Sequence, residues 1–344
     1  MGECYNKYWK KRNEQEMNLT QLETYKVITA NNALLQSAID NINREINKIY
    51  VSFKGKDLSQ KEARKLLNAT ITIREYKRLQ EEVKNIKDPE IKKILIKQLD
   101  APAYASRITR LEALKKIIDI NVYKTLNKRL ENCTKLFIRT IKSRYYKSIY
   151  NIQKELKFEF NFAKISNKRI NKILNMEYFG SNYSKRIWKN TRLLSQKLKE
   201  TMTIDILTGK NPKIGAERLN NIMNTEKYNA ERLIRTETTH FYNQAELESY
   251  KECNVEKYVF LATLDSRTSS KCRKMDGKII NVEDSSPGEN LPPLHANCRS
   301  TTIAYLDDNT LKSLNRRAKQ NNSKSYTTDK FISYENWNKK NNIF

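Results

Sequence analysis

The residues best suited to chemistry lie in two short clusters near the C-terminal end of the chain. Cys272 belongs to the first cluster, and His295 and Cys298 belong to the second. These three fall within 27 residues of a chain that has only two histidines and five cysteines. Thiolate and imidazole are good zinc ligands, and the H-x-x-C spacing places two of them on one tight turn. A structural zinc site takes four ligands, so Asp265, Asp276 or a water is a candidate for the fourth position.

The same residues also fit simpler arrangements. Cys272 and Cys298 are either a buried thiol pair or the two halves of a disulfide, and the sequence leaves both open beside the zinc site. A catalytic zinc is disfavoured, because zinc hydrolases place a general base on a helix beside the ligands and the sequence lacks that pattern. His240 is a further candidate ligand, although a lone histidine on a helix more often packs in a core or faces solvent.

The sequence gives no residue set for an enzyme. It contains no Gly-rich phosphate loop, no H-E-x-x-H helix, no G-x-S-x-G turn and no paired-carboxylate pattern. With 39 acidic residues in a largely helical chain, carboxylate pairs arise by chance. We therefore expect a protein without catalytic residues.

The elements that position these clusters are predicted to be mainly helices. Only 7 glycines and 6 prolines occur in 344 residues, and so few breakers favour long helices. Apolar residues recur at helical spacing through 27–50 and from 103 to about 157, where we expect one long helix or a helical hairpin. Shorter helices are expected near 59–67 and on both sides of a break at Asp88-Pro89.

The second half of the chain changes character. An aromatic-rich stretch at 158–180 indicates a short strand or an ordered loop, and helix resumes over 181–207. Two helices are expected within 213–252, the second from Ala230. A β-branched and aromatic run at 258–264 then predicts a strand.

The expected fold is mainly α, with an elongated helical N-terminal region and a small C-terminal α+β module. The turn at 208–212 is the best domain boundary. We divide the chain into a helical region, a basic connector rich in aromatic residues, a motif-bearing module and a flexible polar tail. These four segments are 1–157, 158–210, 211–306 and 307–344.

Charge indicates a polyanionic partner. The chain carries 66 basic and 39 acidic residues, a net charge of +27. Residues 101–200 hold 24 basic and 7 acidic side chains, a net +17, whereas 225–306 are close to neutral. Non-specific contact with DNA phosphates is the expected use of this charge. The candidate DNA-binding residues are Arg139, Lys142, Arg144, Lys147, Lys168, Arg169, Lys185, Arg186 and Lys189.

The sequence gives no sign of a membrane partner. The N-terminus has no apolar segment of the kind found in signal peptides. No apolar run approaches the ~20 residues that a membrane span needs. Scattered cysteines do not form a secreted disulfide framework, so we expect synthesis in the cytoplasm.

Taken together, the motifs resemble those of the phage head morphogenesis (Mu gpF-like) minor capsid proteins. The residues that carry the resemblance are Arg235, Glu237, Asp265, Arg267, Cys272, Asp276, Gly277, Pro293, His295, Asn297, Cys298 and Arg299. Many family members have C-x-x-C in the first cluster and C-R-C in the second. Here Ser269 and Ser300 occupy the positions of the two additional cysteines.

The N-terminal part also resembles the family, most closely its members from Gram-positive siphophages. Tyr8-Trp9 near the start leads into helices, as in those proteins. Further short patterns match those proteins. In chain order they are Glu45-Ile46, Ile49-Tyr50, Leu58-Ser59, Glu62-Ala63, Leu66-Leu67 and Arg107 to Leu114. The resemblance spans about 5–306 and is strongest at 230–303.

The resemblance implies a minor head protein rather than an enzyme. Such proteins are present in few copies per capsid, associate with the portal, are packaged in the procapsid and influence head assembly or DNA delivery. The implied partners are portal protein, packaged double-stranded DNA, and scaffold or major capsid protein. The implied location is the capsid interior near the portal.

Two other interpretations are alternatives to a head protein. One is a non-viral nucleic-acid-binding protein with a zinc-stapled module. The other is a morphogenesis-type domain associated with a toxin, since such domains can be fused to toxin or transferase modules. The 38 mostly polar residues after 306 are too few to fold such a module.

Overall fold

The computed structural model describes residues 2–51, 59–86, 88–99, 109–157, 159–208, 212–306 and 333–343. Most of these residues are helical, which confirms the predicted mainly α fold with a small α+β module. The helices are α1 (Gly2–Val51), α2 (Gln60–Asn68), α3 (Ile73–Lys84), α4 (Pro89–Leu99), α5 (Arg110–Leu156), α6 (Asn167–Leu174), α7 (Tyr183–Leu207), α8 (Pro212–Glu252), α9 (Ser270–Met275) and α10 (Tyr334–Lys340).

The long apolar patterns form single helices. The pattern that begins near 103 is one 47-residue helix, α5, over its described part, so the alternative of a hairpin is wrong. The prediction of two helices in 213–252 is also wrong, because α8 runs unbroken from Pro212 to Glu252. Gly215, a potential breaker, lies in the first turn of α8 and does not end the helix.

Local capping explains the short helices. Thr72 and Glu75 form a reciprocal capping box at the start of α3. The Ser59 hydroxyl accepts from the Glu62 amide, and the Glu62 carboxylate accepts from the Ser59 amide, which starts α2 near the predicted cap. The Asp88 carboxylate accepts from the amide of Ile91 at 2.9 Å, so the predicted break precedes α4.

The chain forms two compact units, each built from segments far apart in sequence. Unit 1 comprises Met1–Lys26, Thr134–Tyr183 and Arg232–Phe344, and unit 2 comprises Val27–Cys133 and Ser184–Glu231. The predicted division into four segments follows the order of the chain and stays a prediction. In unit 2 the apolar faces of α1, α5, α7 and α8 meet in one core. Its fully buried members include Leu35, Ile39, Ile118, Leu198 and Met223.

Unit 1 contains the small sheet. Within the described residues, β1 (Lys257–Leu261), β2 (Ile279–Asn281) and β3 (Thr301–Tyr305) form an antiparallel sheet in the order β2-β1-β3. Tyr258 of β1 lies opposite Ile280 of β2 and Ala304 of β3. The predicted strand at 258–264 is therefore confirmed for the part that pairs.

Two stretches differ from the prediction. The aromatic-rich stretch at 158–180 is partly loop and partly helix, because α6 occupies Asn167–Leu174. The flexible tail predicted at 307–344 is wrong for its last part, where α10 buries the whole side chain of Trp337. Burial of an indole ring against apolar side chains stabilises an otherwise polar segment. Residues 307–332 lie outside the described residues.

Candidate metal centre

The structure brings together the three predicted metal ligands of unit 1. The ligand atoms of Cys272, His295 and Cys298 all lie within 4.8 Å of one another. The Cys272 sulfur is 3.2 Å from His295 Nε2 and 3.7 Å from the Cys298 sulfur. Both cysteines are buried and the histidine is half-buried. This is a suitable donor set for zinc.

Local structure fixes each of these ligands. Cys272 lies in the first turn of α9, where the N-cap residue Ser269 accepts from its amide. His295 and Cys298 lie on the tight turn before β3, which a hydrogen bond from the Cys298 amide to the His295 carbonyl closes at 3.2 Å. A small apolar core surrounds the sulfurs, with Phe260 and Leu294 among its buried members.

The histidine is oriented as a metal ligand would be. Its Nδ1 lies 2.8 Å from the carbonyl oxygen of Ala296, so Nδ1–H donates and Nε2 keeps its lone pair. Nε2 is the nitrogen that faces Cys272. A carbonyl that fixes the tautomer of a ligating histidine is a common feature of zinc sites.

The two thiols share their protons unequally. Hydrogen bonding between the two sulfurs lowers the pKa of Cys298 to about 6, against the opposing effect of burial. Backbone amides of Leu294 and Ser300 also favour the Cys298 thiolate. The same hydrogen bond, and then burial, raise the pKa of Cys272. A lowered thiol pKa favours the thiolate, which is the form of cysteine that binds a metal.

The arrangement is a thiol pair and not a disulfide. Both cysteines are free, and the 3.7 Å between their sulfurs is far above the roughly 2.05 Å of an S–S bond. Within the described residues the cluster provides three protein ligands. Zinc held by three protein ligands keeps a fourth position for water or another donor.

The predicted candidates for a fourth protein ligand are engaged elsewhere. Asp265 forms a two-pronged ion pair with Arg299, with distances of 2.6 and 2.7 Å. The Asp276 carboxylate accepts from the amide of Ala262 at 2.8 Å. Neither belongs to the cluster found among the described residues. His240 is also outside it and stacks on the ring of Tyr178, with centroids 3.9 Å apart.

Asp265 instead organises the loop that follows β1. Its carboxylate binds Arg299 and accepts from the amide of Arg267 at 2.9 Å. Hydrogen bonding from the guanidinium of Arg299 holds the pKa of Asp265 well below its usual range. Arg267 is itself 78% exposed and lies 3.6 Å from Asp265. The motif residues therefore join the two clusters that are separate in sequence.

The remaining motif residues shape turns. Gly277 has φ +76°, and its amide donates to the carbonyl of Phe260 at 2.9 Å. Asn297 has φ +58°, a left-handed conformation that asparagine tolerates better than most residues. Pro293 follows a cis peptide bond. Gly277 and Asn297 are therefore positions at which the backbone turns.

Helix α8 is hydrogen-bonded to the second cluster. From sequence, Arg235 and Glu237 either tie this helix to the motif block or lie on a solvated face, and sequence reasoning missed the residues that make the described hydrogen bonds. Thr236 accepts from the amide of Asn297 at 3.0 Å, Thr239 donates to the carbonyl of Cys298 at 2.8 Å, and Asn243 donates to the carbonyl of Ser300 at 3.3 Å. Their spacing of three and four along the helix was the available signal.

Arg235 and Glu237 lie on the same part of α8. Glu237 is buried and Arg235 is half-buried. The proposed tie between each residue and the motif block stays a prediction.

The candidate DNA-binding residues occupy different environments. Arg139, Lys168, Lys185 and Lys189 are exposed, whereas Lys142, Lys147 and Arg186 are half-buried. Arg169 pairs with Glu248 at 2.6 Å and with Glu252 at 3.3 Å. The first six residues of the predicted set, Arg139 to Arg169, belong to unit 1, and Lys185, Arg186 and Lys189 belong to unit 2.

Arg144 does not belong to an exposed basic surface, so its inclusion in the DNA-binding set was wrong. Its side chain is 3% exposed and pairs with Glu16 and Glu246, while the ring of Tyr242 lies 4.7 Å from the guanidinium carbon. Burial opposes the charge, but the Glu246 carboxylate raises the pKa of Arg144 above its ordinary value. A buried cation with these partners supports the fold of unit 1.

Comparison with known proteins identifies the region around the site. Residues 196–303 match the model of the family described as Phage Mu protein F like protein. The chain is also 26% identical over 207 residues to the NAD(+)–arginine ADP-ribosyltransferase EFV of Enterococcus faecalis. That alignment covers 56% of this chain and 41% of the transferase. The chain thus spans less than half the length of this relative.

Two further findings complete the comparison. No solved structure matches the chain significantly. Among the described helices, none combines the length and the apolar character that crossing a membrane requires. The matched residues 196–303 include the Cys-His-Cys cluster, the part of α8 that supports it, β1, β2 and the first three residues of β3, so this part of the chain is similar to the Phage Mu protein F like family.

Proposed function

We propose that this chain is a phage minor head protein that acts in head morphogenesis, associates with the portal and contacts packaged DNA. The observation that carries the proposal is the match of 196–303 to the Phage Mu protein F like family, over the part of the chain that holds the motif residues. The proposed location is the capsid interior near the portal. Scaffold or major capsid protein is a further proposed partner.

Abundance in purified particles tests the head assignment. Procapsids and DNA-filled heads of the phage that encodes this chain are separated on a gradient, and the protein is quantified by mass spectrometry. We expect a few copies in both particles. Absence from both particles contradicts the proposal and favours the non-viral nucleic-acid-binding alternative.

For the portal contact, we propose the near-neutral surface of the Mu F-like region. Leu264 is 63% exposed and Arg267 is 78% exposed, and both lie on the loop that Asp265 organises. Exposed apolar and arginine side chains together are typical of protein interfaces. The charge of 225–306 is close to neutral, so DNA is not the natural partner of this surface.

Co-sedimentation with purified portal protein tests this contact. The full chain is compared with Leu264→Glu, and with Lys274→Glu on the nearby helix α9 as the matched control. We expect Leu264→Glu to lose at least tenfold in apparent affinity and Lys274→Glu to bind normally. Unchanged binding by Leu264→Glu excludes this surface, and no binding by the wild-type chain excludes the portal as a direct partner.

For the DNA contact, we propose exposed lysines of the basic helices. Lys185 and Lys189 are exposed and four residues apart on α7, so they lie on one helix face. Lys168 is exposed on α6 of the other unit. Such side chains neutralise phosphates without reading sequence, so the affinity must fall steeply with salt.

Fluorescence anisotropy with a labelled duplex tests the DNA contact. We compare the wild-type chain with Lys185→Gln/Lys189→Gln at several salt concentrations, with Lys271→Gln on α9 as the exposed control. Removal of two phosphate contacts is expected to reduce the slope of log K against log[salt] by about 1.8. A variant slope equal to that of the wild type shows that these lysines do not touch DNA.

We also propose that zinc occupies the Cys-His-Cys cluster. The support is the donor set, the orientation of His295 and the thiolate character of Cys298. Bound zinc would staple α9 to the turn before β3. Metal content is measured by mass spectrometry on the reduced protein, with Cys298→Ser and with Cys253→Ser as a control at a buried thiol elsewhere.

The expected result is one zinc per chain in the wild type and in Cys253→Ser, and none in Cys298→Ser. A wild-type protein purified without zinc, and unable to take it up from solution, leaves the cluster as a packed thiol pair. The alignment covers 41% of the Enterococcus faecalis relative, so the activity in its name belongs to that protein and is not part of the proposal.

A further inference from the structure

An aromatic pair bridges two helices within unit 2. Tyr123 of α5 and Trp188 of α7 have ring centroids 6.2 Å apart, and their planes are inclined by 43°. Both residues are half-buried, whereas the apolar residues in the core of this unit are buried. Each of the two residues therefore packs over part of its surface and leaves the rest open to a ligand.

Contacts along the helices hold α5 and α7 in register around the pair. The Asp119 carboxylate of α5 accepts from the hydroxyl of Ser195 and from the ammonium of Lys199, the latter at 2.8 Å. Ser195 lies two turns after Trp188, whereas Asp119 lies one turn before the aromatic residue of α5, so the two helices run antiparallel. The pair is therefore assembled by helix packing before any ligand is present.

Basic side chains flank the indole on its helix face. Lys185, Lys189 and Arg192 are exposed and lie three residues before, one residue after and four residues after Trp188. Burial raises the pKa of Tyr123 and the positive charge of Arg192 opposes that rise, so this guanidinium lies close to the pair. In its first 17 residues α7 carries six basic side chains and no acidic one. The surroundings of the pair on this helix therefore favour an anion.

Aromatic rings beside cations are suited to a nucleic acid strand whose bases are unpaired. The rings stack on the π-face of a base, and the cations neutralise the phosphates on either side. A duplex keeps the faces of its bases inside its own stack and presents mainly phosphates to a basic helix. The cations of α7 can thus serve either form of DNA, whereas the aromatic pair can serve only a single strand.

A cavity of about 590 Å³ lies between the same two helices. The charged residues that line it are Lys115, Lys116, Lys199, Glu112, Asp119 and Glu200. Three cations beside three carboxylates do not favour a chain of phosphates. The part of the α5–α7 surface that fits a nucleic acid strand is therefore the end that carries the aromatic pair.

We propose that Tyr123 and Trp188 form a stacking platform for an unpaired base, and that Lys185, Lys189 and Arg192 bind the phosphates of the same strand. The ligand is single-stranded DNA, bound without sequence readout. The proposal rests on the proposed DNA contact of α7 and specifies the form of DNA that this helix prefers. Both rings lie outside the matched residues 196–303.

Fluorescence anisotropy with labelled oligothymidine and the full-length chain tests the platform. Trp188→Leu is compared with Tyr228→Leu, which removes a 60% exposed ring from α8 of the same unit. We expect Trp188→Leu to bind about fivefold more weakly or worse at every salt concentration, with an unchanged salt slope, because stacking releases no counterions. Tyr228→Leu should bind as the wild type does. Lys185→Gln/Lys189→Gln should instead reduce the slope by about 1.4.

A duplex of the same length separates the platform from the phosphate contacts. Trp188→Leu should bind the duplex as tightly as the wild type does. Equal losses on both DNAs show that the ring only supports the fold of α7, and they overturn the platform. A wild type that binds duplex but not oligothymidine overturns the platform and leaves the proposed duplex contact intact. Binding of oligothymidine alone supports the platform and contradicts the duplex contact.

Crosslinking on the wild-type chain decides if Trp188→Leu does not fold. An oligothymidine with one iodouracil base is bound and irradiated, and the modified residue is identified by mass spectrometry. We expect the crosslink on Trp188 or Tyr123, because the photoreaction requires contact between the base and the modified side chain. A crosslink on neither ring overturns the proposal.

Discussion

Replacement of Arg144 by methionine is the sharpest test of the charge arrangement in unit 1. The guanidinium binds Glu16, Glu246 and Asn13 and lies over the ring of Tyr242. Arg144→Met removes all four contacts and leaves a fully buried carboxylate without its cation. Loss of one partner of a buried ion pair typically costs about 3–5 kcal/mol of folding free energy. We expect a loss in this range.

The loss of folding free energy caused by Arg144→Met increases with pH. Burial raises the pKa of Glu246, and Arg144 opposes that rise. Without Arg144 the folded protein holds the Glu246 proton still more tightly than the unfolded chain does. Folding stability therefore falls as the pH rises through the folded pKa. The destabilisation by Arg144→Met should be larger at pH 8 than at pH 5.

Matched variants separate this role from DNA binding. Lys147→Met changes a half-buried cation on the same helix and should cost less than about 1 kcal/mol, as partly exposed substitutions do. Arg144→Met/Glu246→Met replaces the pair by apolar side chains and should recover much of the lost stability. Stability is measured by urea unfolding, followed by hydrogen exchange of α5 and α8 amides. DNA affinity is measured in parallel at a temperature where each variant is folded.

Two results would refute this reasoning. A loss below about 1 kcal/mol for Arg144→Met would show that the buried pair contributes little net stability. A normal stability combined with weakened DNA binding would show that the guanidinium reaches phosphate in solution. The second outcome would also return Arg144 to the DNA-binding set from which its burial removes it.

Further predictions concern the loops of the motif region. A Cβ at Gly288, where φ is +91°, would lie 2.8 Å from the ring of Phe179, so Gly288→Ala should destabilise by more than Gly277→Ala, whose site has φ +76° but open space. Thermal unfolding should show about 1 kcal/mol for Gly277→Ala from backbone strain alone, and Phe179→Ala should relieve part of the additional loss in Gly288→Ala. Asp265, whose pKa Arg299 holds low, contributes stability above its unfolded pKa of about 4 that is lost on further acidification. Protection factors of this loop, which correct for the intrinsic pH dependence of amide exchange, should therefore fall below about pH 4 in the wild type and stay constant there in Asp265→Asn, and an unchanged acid response in that variant would exclude this carboxylate as the cause.

Local rules account for most of the helical architecture. Apolar residues at helical spacing and the scarcity of glycine and proline are sufficient to predict the second half of α1 and the whole of α5, and side-chain caps predict the starts of α2 and α4. The same rules overestimated the number of helices in 213–252. No breaker interrupts that stretch after its first turn, so the helix simply continues.

The features that sequence reasoning missed depend on contacts between distant residues. Trp337 donates to Gln153, 184 positions away, and no local pattern in a polar tail predicts a seat for the indole. Arg144 looked like its basic neighbours because only tertiary packing places Glu246 beside it. Thr239 supports the candidate metal centre by donating to a backbone carbonyl, Cys298 O, and although helical spacing indicates a shared face, residue types do not identify a backbone acceptor.

Burial also limits how strongly this chain can hold DNA through the predicted residues. Nine side chains were assigned to phosphate contact, and Arg144 is removed from them by its burial, which leaves eight. Each phosphate contact contributes about 0.9 to the salt slope, so this set allows a slope of at most about 7. Arg169 lowers that limit further, because its guanidinium is already bound by Glu248 and Glu252. A steeper measured slope therefore requires basic residues outside this set, and the 66 lysines and arginines of the chain are enough to supply them.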